Sequence, residues 1–128
     1  MITTKFKNYI NQLHYALWTI DTIKFGAAVD LIEKTIKSGN TIYVCGNGGS
    51  AAIADHLTCD CMKGIAANTH LHPRVISLVS NAPLITAISN DFGYSEVFAR
   101  QIEANCARGD LLFLITTSGK SVNIFKGL

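Results

Sequence analysis

TIYVCGNGGS, residues 41–50, is the stretch whose reading decides the fold. Thr41 to Cys45 is a short apolar run with glycines on both sides, the pattern of a parallel strand buried on both faces. Gly46-Asn47-Gly48-Gly49 then reads as a tight loop, with Ser50 expected to cap the helix that follows. Glycines there let backbone approach a ligand closely and take positive φ. The helix start beyond offers unpaired N–H groups to an anion. A turn with no ligand satisfies the same local pattern.

Downstream, the helix from Ala51 is expected to run to about Lys63 and stop at Gly64, with residues 65–73 as loop. Arg74–Val79 reads as a second strand and 83–89 as a helix with Pro83 in its first turn. Ser95 to about Asn105 is a further helix, with Val97, Phe98, Ile102 and Cys106 on one face. Leu111–Ile115 is a third apolar strand, followed by Thr116–Ser121 and another helix start. Alternating strands and helices predict an α/β fold, a parallel sheet covered on both faces. Upstream, Ile2, Phe6, Tyr9, Ile10, Leu13, Ala16, Leu17 and Ile20 recur at helical steps. A second helix carries Ala27, Ala28, Leu31, Ile32 and Ile36, and Gly39-Asn40 stops it. A packed antiparallel helical pair, completed by another subunit, is expected. The last βα unit has no following strand, so ordered structure is expected to continue past residue 128.

The chain has 128 residues, 48% hydrophobic and 16% charged, with a formal net charge of +2. That suits one domain with a single core and excludes a disordered or charge-driven tail. No dense Lys/Arg run argues for nucleic acid or an anionic membrane surface. Neither a signal peptide nor a bilayer-spanning run is read, and the expected compartment is cytoplasmic. Cys45, Cys59, Cys61 and Cys106 have neither CxxC nor zinc-ribbon spacing and read as buried reduced thiols.

Gly46, Gly48 and Ala51 fit a dinucleotide fingerprint, but the second strand ends at Val79-Ser80-Asn81, without the ribose-binding acid. Gly119-Lys120-Ser121 resembles the end of a P-loop, but Leu114 stands where its first glycine is required. Four hydroxyls within Thr116–Ser121 still make a phosphate nest, beside the plainer reading of a Ser/Thr-rich turn. His56 and Asp60, at i and i+4, share a helix face. Such a pair suits acid–base work or zinc, and equally a local ion pair. His70 and His72 read as solvent-facing. Ser89-Asn90-Asp91-Phe92-Gly93 reads as a helix end and turn, near the crevice where open parallel sheets collect ligands.

Together these segments resemble the sugar isomerase (SIS) domain family, and within it the phosphoheptose isomerases: CGNGGSAA (45–52), the helix with His56 and Asp60, SNDFGYSEVFARQ (89–101), and GDLLFLITTSGKS (109–121). The resemblance covers nearly the whole chain. It implies a three-layer, flavodoxin-like αβα sandwich, one SIS domain over 1–128 with helices in 1–39 and the α/β core in 40–128. It also implies a homotetramer with central amino-terminal helices. The implied activity converts sedoheptulose 7-phosphate to glycero-manno-heptose 7-phosphate for lipopolysaccharide. By position, Asn47, Gly48, Gly49, Ser50, Asn90 and Asp91 would line the substrate. Thr116, Thr117, Ser118 and Ser121 would hold its phosphate. His56 would ligate zinc, and Asp60 would stand where the family has its catalytic, metal-binding, substrate-contacting glutamate. Asp60 is one methylene shorter than that glutamate. The family's partner histidine lies on a helix beyond Leu128, so the 128-residue piece is expected to be inactive alone. Two other readings stand beside the isomerase. One is a non-catalytic SIS scaffold that binds the replication initiator DnaA. The other is a phosphosugar-sensing regulatory domain, disfavoured because no helix-turn-helix precedes it.

Overall fold

The computed structural model describes residues 2–128. Its contacts divide the chain into one unit ending at Leu31 and another over Ile32–Leu128. Helices α1 (Ile2–Trp18) and α2 (Thr22–Lys37) follow the apolar periodicity. Asp21 starts α2 by accepting from the Ile23 and Lys24 N–H groups. Gly39, at φ 72, ends it. Gly39 N–H returns to Ile36 C=O and Asn40 N–H to Thr35 C=O, a Schellman closure. The expected packed pair is not formed. α1 buries no residue, and Phe6, Leu13 and Trp18 are 62%, 45% and 81% exposed. Two helices enclose too little apolar surface to make a core of their own.

Ile32–Leu128 is the α/β body. Strands β1 (Thr41–Gly46), β2 (Arg74–Ser77) and β3 (Leu111–Ile115) form a parallel sheet in the order β2-β1-β3. Val44 pairs with Ser77, and Gly46 with Ile115. β1 is buried along its whole length, as a central strand must be. Its side chains alternate between two cores. Ile42 and Val44 enter one with Ala54, Cys61 and Val75, joined by Ile32 and Ile36. Tyr43 and Cys45 enter the other with Leu78, Ile88, Val97, Phe98 and Ile124. Helix α3 (Gly49–Cys59) lies over the first face. Helices α5 (Ala82–Phe92), α6 (Ala99–Asn105) and α7 (Val122–Phe125) belong to the second. The layers are thus αβα, as expected.

Several boundaries differ from the sequence reading. The helix after β1 does not stop at Gly64. It passes into a π-helical segment, Asp60–Ile65, and a last turn α4 (Ala66–Asn68). A wider turn accommodates Gly64 without ending the helix. β2 ends at Ser77, although Leu78 N–H still bonds Val44 C=O. The expected helix at 95–105 is a 3₁₀ turn, Tyr94–Glu96, followed by α6. Cys45 and Cys61 are buried and Cys106 is half-buried, but Cys59 is exposed, a departure from the expected set of buried thiols. It sits two residues from Cys61 on a helix, so the two cannot share a face. Among the described residues no helix is long and apolar enough to cross a membrane.

Candidate functional site

The carboxyl ends of β1 and β3 lie side by side, and their loops leave from the same edge of the sheet. A small polar cleft between them is lined by Asn47, Ser50, Ile115, Thr116, Thr117 and Ser121. This is the crevice where a doubly wound sheet binds its ligands. A roomier hollow, about 410 Å³, lies along Asn11, His14, Tyr15 and Trp18. It is one face of a single exposed helix and gathers no polar groups from different elements.

Two glycines of the first loop are held to their positions for different reasons. Gly46 lies against Ser50: a Cβ there would meet Ser50 Cβ at 2.6 Å and its carbonyl carbon and oxygen at 2.7 Å. Gly48 has φ 55 and ψ −120, the values of the first central residue of a type II′ turn, and Ser50 N–H closes that turn on Asn47 C=O at 3.0 Å. Gly48 rather than Ser50 therefore caps α3. Ser50 instead falls in the first helical turn, 6% exposed, at the floor of the cleft. The expectation of a serine cap fails because the turn needs glycine's conformation at the capping position.

In the β3 loop, Gly119 N–H donates to Thr116 Oγ1 and Lys120 N–H to Ser118 Oγ, both at 3.2 Å. Ser121 precedes α7 but makes no capping bond with its side chain. Helix capping therefore does not account for the hydroxyls here. Thr116, Thr117 and Ser121 face the cleft, whereas Ser118 is not among its lining residues.

His56 Nε2 and Asp60 Oδ2 are 3.4 Å apart, with side chains 75% and 62% exposed. They form the i, i+4 pair that the spacing predicts, and neither is among the residues lining the cleft. Asp60 also opens the π segment, its N–H bonded to His56 C=O and Leu57 C=O. Among the described residues no three His, Cys, Asp or Glu side chains gather as a metal-ligand group. One imidazole and one carboxylate suit zinc in type, but a catalytic zinc takes three protein ligands. A metal here needs at least one more. Asn90 and Asp91 lie in the last turn of α5, exposed, with Asn90 Nδ2 donating to Asp91 Oδ1 at 2.9 Å. They too are outside the cleft lining.

Three residues to which the sequence reading gave no role shape this region. Asp55 accepts from Ser77 Oγ and Ser80 Oγ, both at 2.6 Å, tying α3 to the exit of β2. Those two bonds hold its carboxyl below the usual range. Asn123, 4% exposed, exchanges two hydrogen bonds with the side chain of Asn47, and Tyr94 Oη donates to Asn47 Oδ1. A carboxylate beside His56 and an asparagine inside an apolar helix were the available signals.

The family model of the SIS domain matches residues 5–127. The phosphoheptose isomerase of Synechocystis sp. is 43% identical over 102 residues, 80% of this chain and 52% of that protein. That of Campylobacter concisus is 34% identical across 100% of this chain and 68% of its own length. The structure of a phosphoheptose isomerase from Francisella tularensis superposes with a TM-score of 0.86 at 30% identity, covering 98% of this chain and 65% of that one. The chain spans about half the length of the first curated relatives it matches, 52% and 53%. With its β2-β1-β3 parallel sheet and its glycine and hydroxyl loops at one edge, this chain belongs to the SIS domain family, where the relatives it matches are named phosphoheptose isomerases.

Proposed function

We propose that this chain forms the phosphosugar-gripping part of an aldose–ketose isomerase that converts sedoheptulose 7-phosphate to glycero-manno-heptose 7-phosphate, for lipopolysaccharide heptose supply in the cytoplasm. The observation that carries this reading is the convergence of the β1 and β3 loops on one cleft lined by Ser50, Thr116, Thr117 and Ser121. The hydroxyl hydrogens of Thr117 and Ser121, and that of Thr116, whose oxygen already accepts from Gly119 N–H, suit the oxygens of a phosphate. The names of the relatives favour a seven-carbon sugar over a shorter one.

Isomerisation moves a proton between adjacent carbons and needs a carboxylate near them. Asp60 takes that role, with His56 beside it on the same helix face. Asn90 and Asp91, on the exposed end of α5, bind the sugar hydroxyls together with Asn47, Gly48 and Gly49. Phosphate held at the remote end supplies binding energy that orients the reacting carbons. His56 and Asp60 would hold a zinc together with a further ligand, and such an ion supplies positive charge beside the carbonyl oxygen. The open apolar faces of α1 and α2 support assembly as a homotetramer.

The test is isomerase turnover of sedoheptulose 7-phosphate by the full-length protein, with and without zinc, beside Asp60→Asn. The variant is expected to lose about 10²-fold or more in kcat while still binding phosphate. An Asp60→Asn protein as active as its parent removes Asp60 from the chemistry. No turnover, and no thermal shift with any sugar phosphate, removes the function.

A further inference from the structure

We propose that Asn123 and Tyr94 are positioning residues which, through the side chain of Asn47, set the spacing between the two loops that grip phosphate. The inference rests on the phosphosugar reading of the cleft and deepens it. Asn47 follows β1 and stands at one wall of the cleft, and Asn123 comes two residues after Ser121 at the other. Asn47 Nδ2 donates to Asn123 Oδ1 at 2.9 Å, and Asn123 Nδ2 donates back to Asn47 Oδ1 at 2.8 Å. Tyr94 Oη donates to the same Asn47 Oδ1 at 2.8 Å.

An amide oxygen has two lone pairs, so Asn47 Oδ1 is fully used. It has no acceptor capacity left for a sugar hydroxyl, and one Nδ2 hydrogen is all the side chain still offers. The side chain therefore joins elements through its oxygen and can meet a sugar hydroxyl only through that remaining hydrogen. The reciprocal pair fixes both distance and orientation, because each amide both gives and accepts. Burial strengthens it and makes either half costly to leave alone: Asn123 is 4% exposed. Tyr94 brings in a third element. It follows Gly93, which ends the helix carrying Asn90 and Asp91. One carboxamide thus ties the β1 loop, the first turn of α7 directly after the β3 loop, and the exit of α5.

A pair that merely stabilised the core would lower Tm and leave ligand binding alone. A pair that sets the gap between loops must change affinity in the folded protein. The experiment compares full-length parent, Asn123→Ala and Tyr94→Phe. It reads Tm, Kd for inorganic phosphate, and KM and kcat with sedoheptulose 7-phosphate. Asn123→Ala is expected to raise KM and the phosphate Kd about tenfold, with kcat within about threefold of the parent. Tyr94→Phe removes one hydroxyl from a residue 54% exposed and is expected to raise both by about two- to fivefold with Tm unchanged. If Asn123→Ala does not fold, Tyr94→Phe alone decides. Variants that keep parental KM and phosphate Kd, whatever their Tm, overturn the positioning role while the parent's activity upholds the function. A parent that neither binds phosphate nor turns over the sugar overturns the reading of the cleft, and this inference with it.

Discussion

Gly46→Ala is the sharpest probe of how the cleft is built. The added Cβ would stand 2.6 Å from Ser50 Cβ and 2.7 Å from the Ser50 carbonyl carbon and oxygen. Carbon atoms settle at about 3.5 Å or more. The first turn of α3 must then retreat by roughly 0.9 Å, or β1 must bend away. Neither is easy, since Ser50 is 6% exposed and β1 is buried throughout. Two of the three clashing atoms are backbone, so no rotamer change relieves them. Overpacking of this kind costs about 1–3 kcal/mol. For a chain of this size that lowers Tm by roughly 3–15 °C. The same displacement moves Ser50 against Thr116 and Thr117 across the cleft. A misplacement near 1 Å can cost on the order of 10²-fold in a binding or reacting geometry. Thermal unfolding and phosphate titration of the full-length variant read the two consequences separately. A Gly46→Ala protein with parental Tm and parental phosphate affinity would refute the claim that contact between Gly46 and Ser50 sets the cleft.

Acid unfolding tests Asp110, whose Oδ2 accepts from Ala107 N–H and whose Oδ1 accepts from Thr41 N–H, at 2.8 Å and 2.7 Å. Those backbone bonds lower its carboxyl in the folded state, so its stabilisation is present above the unfolded value of about 3.9 and is lost as pH falls through the folded one. Asp110→Asn should flatten the loss of stability below about pH 4 in a urea series, and an unchanged slope would remove Asp110 as its source. Asp55→Ala frees Ser77 and Ser80 and loosens α3 over the β2 exit. It should raise amide exchange in 77–80 several-fold and lower kcat more than phosphate affinity, since His56 and Asp60 ride on the same helix; unchanged exchange would refute the tie. Iodoacetamide on the native protein should modify Cys59 and spare Cys45, whose thiol burial pushes up to about 12. Mass spectrometry finding equal labelling at both would contradict the buried face of β1.

The strands were open to reading because each is an unbroken apolar run between turn residues, which central parallel strands require. The helix periodicity of 2–20 was equally plain, but periodicity reveals an apolar face and not what covers it, so the packed pair did not follow. The π segment at 60–65 left no mark, since a widened turn keeps the same side-chain periodicity to within one residue. Gly64 therefore looked like a stop. Ser50 looked like a cap because capping statistics speak to residue type, whereas Gly48 holds the position by backbone conformation. Of the site, the two loops were legible as clusters of glycine and hydroxyl. The pairing of Asn47 with Asn123 was not, because 76 residues separate them and only the folded sheet brings them together. Asp55 with Ser77 and Ser80 was hidden for the same reason.

What makes the loops meet is the direction of the strands more than any residue in the loops. Gly46 pairs with Ile115 in a parallel ladder. The next residues, Asn47 and Thr116, must then emerge beside each other at one edge, within the ~4.8 Å that separates neighbouring strands. Were β3 antiparallel to β1, the same hydroxyl cluster would leave from the far end. It would then be separated from the glycine turn by the length of a five- or six-residue strand, roughly 17–20 Å. No phosphate could touch both. Strand order adds the second condition. With β2 on one side of β1 and β3 on the other, the helices after β1 and β3 go to opposite faces of the sheet, as the two cores record. Their departure in opposite directions opens the gap between the two turns. The amide pair then needs only to hold a gap that the topology has already made. For that reason loss of the pair should weaken the grip on phosphate without abolishing it, whereas a shift in the register of β3 against β1 would abolish it outright.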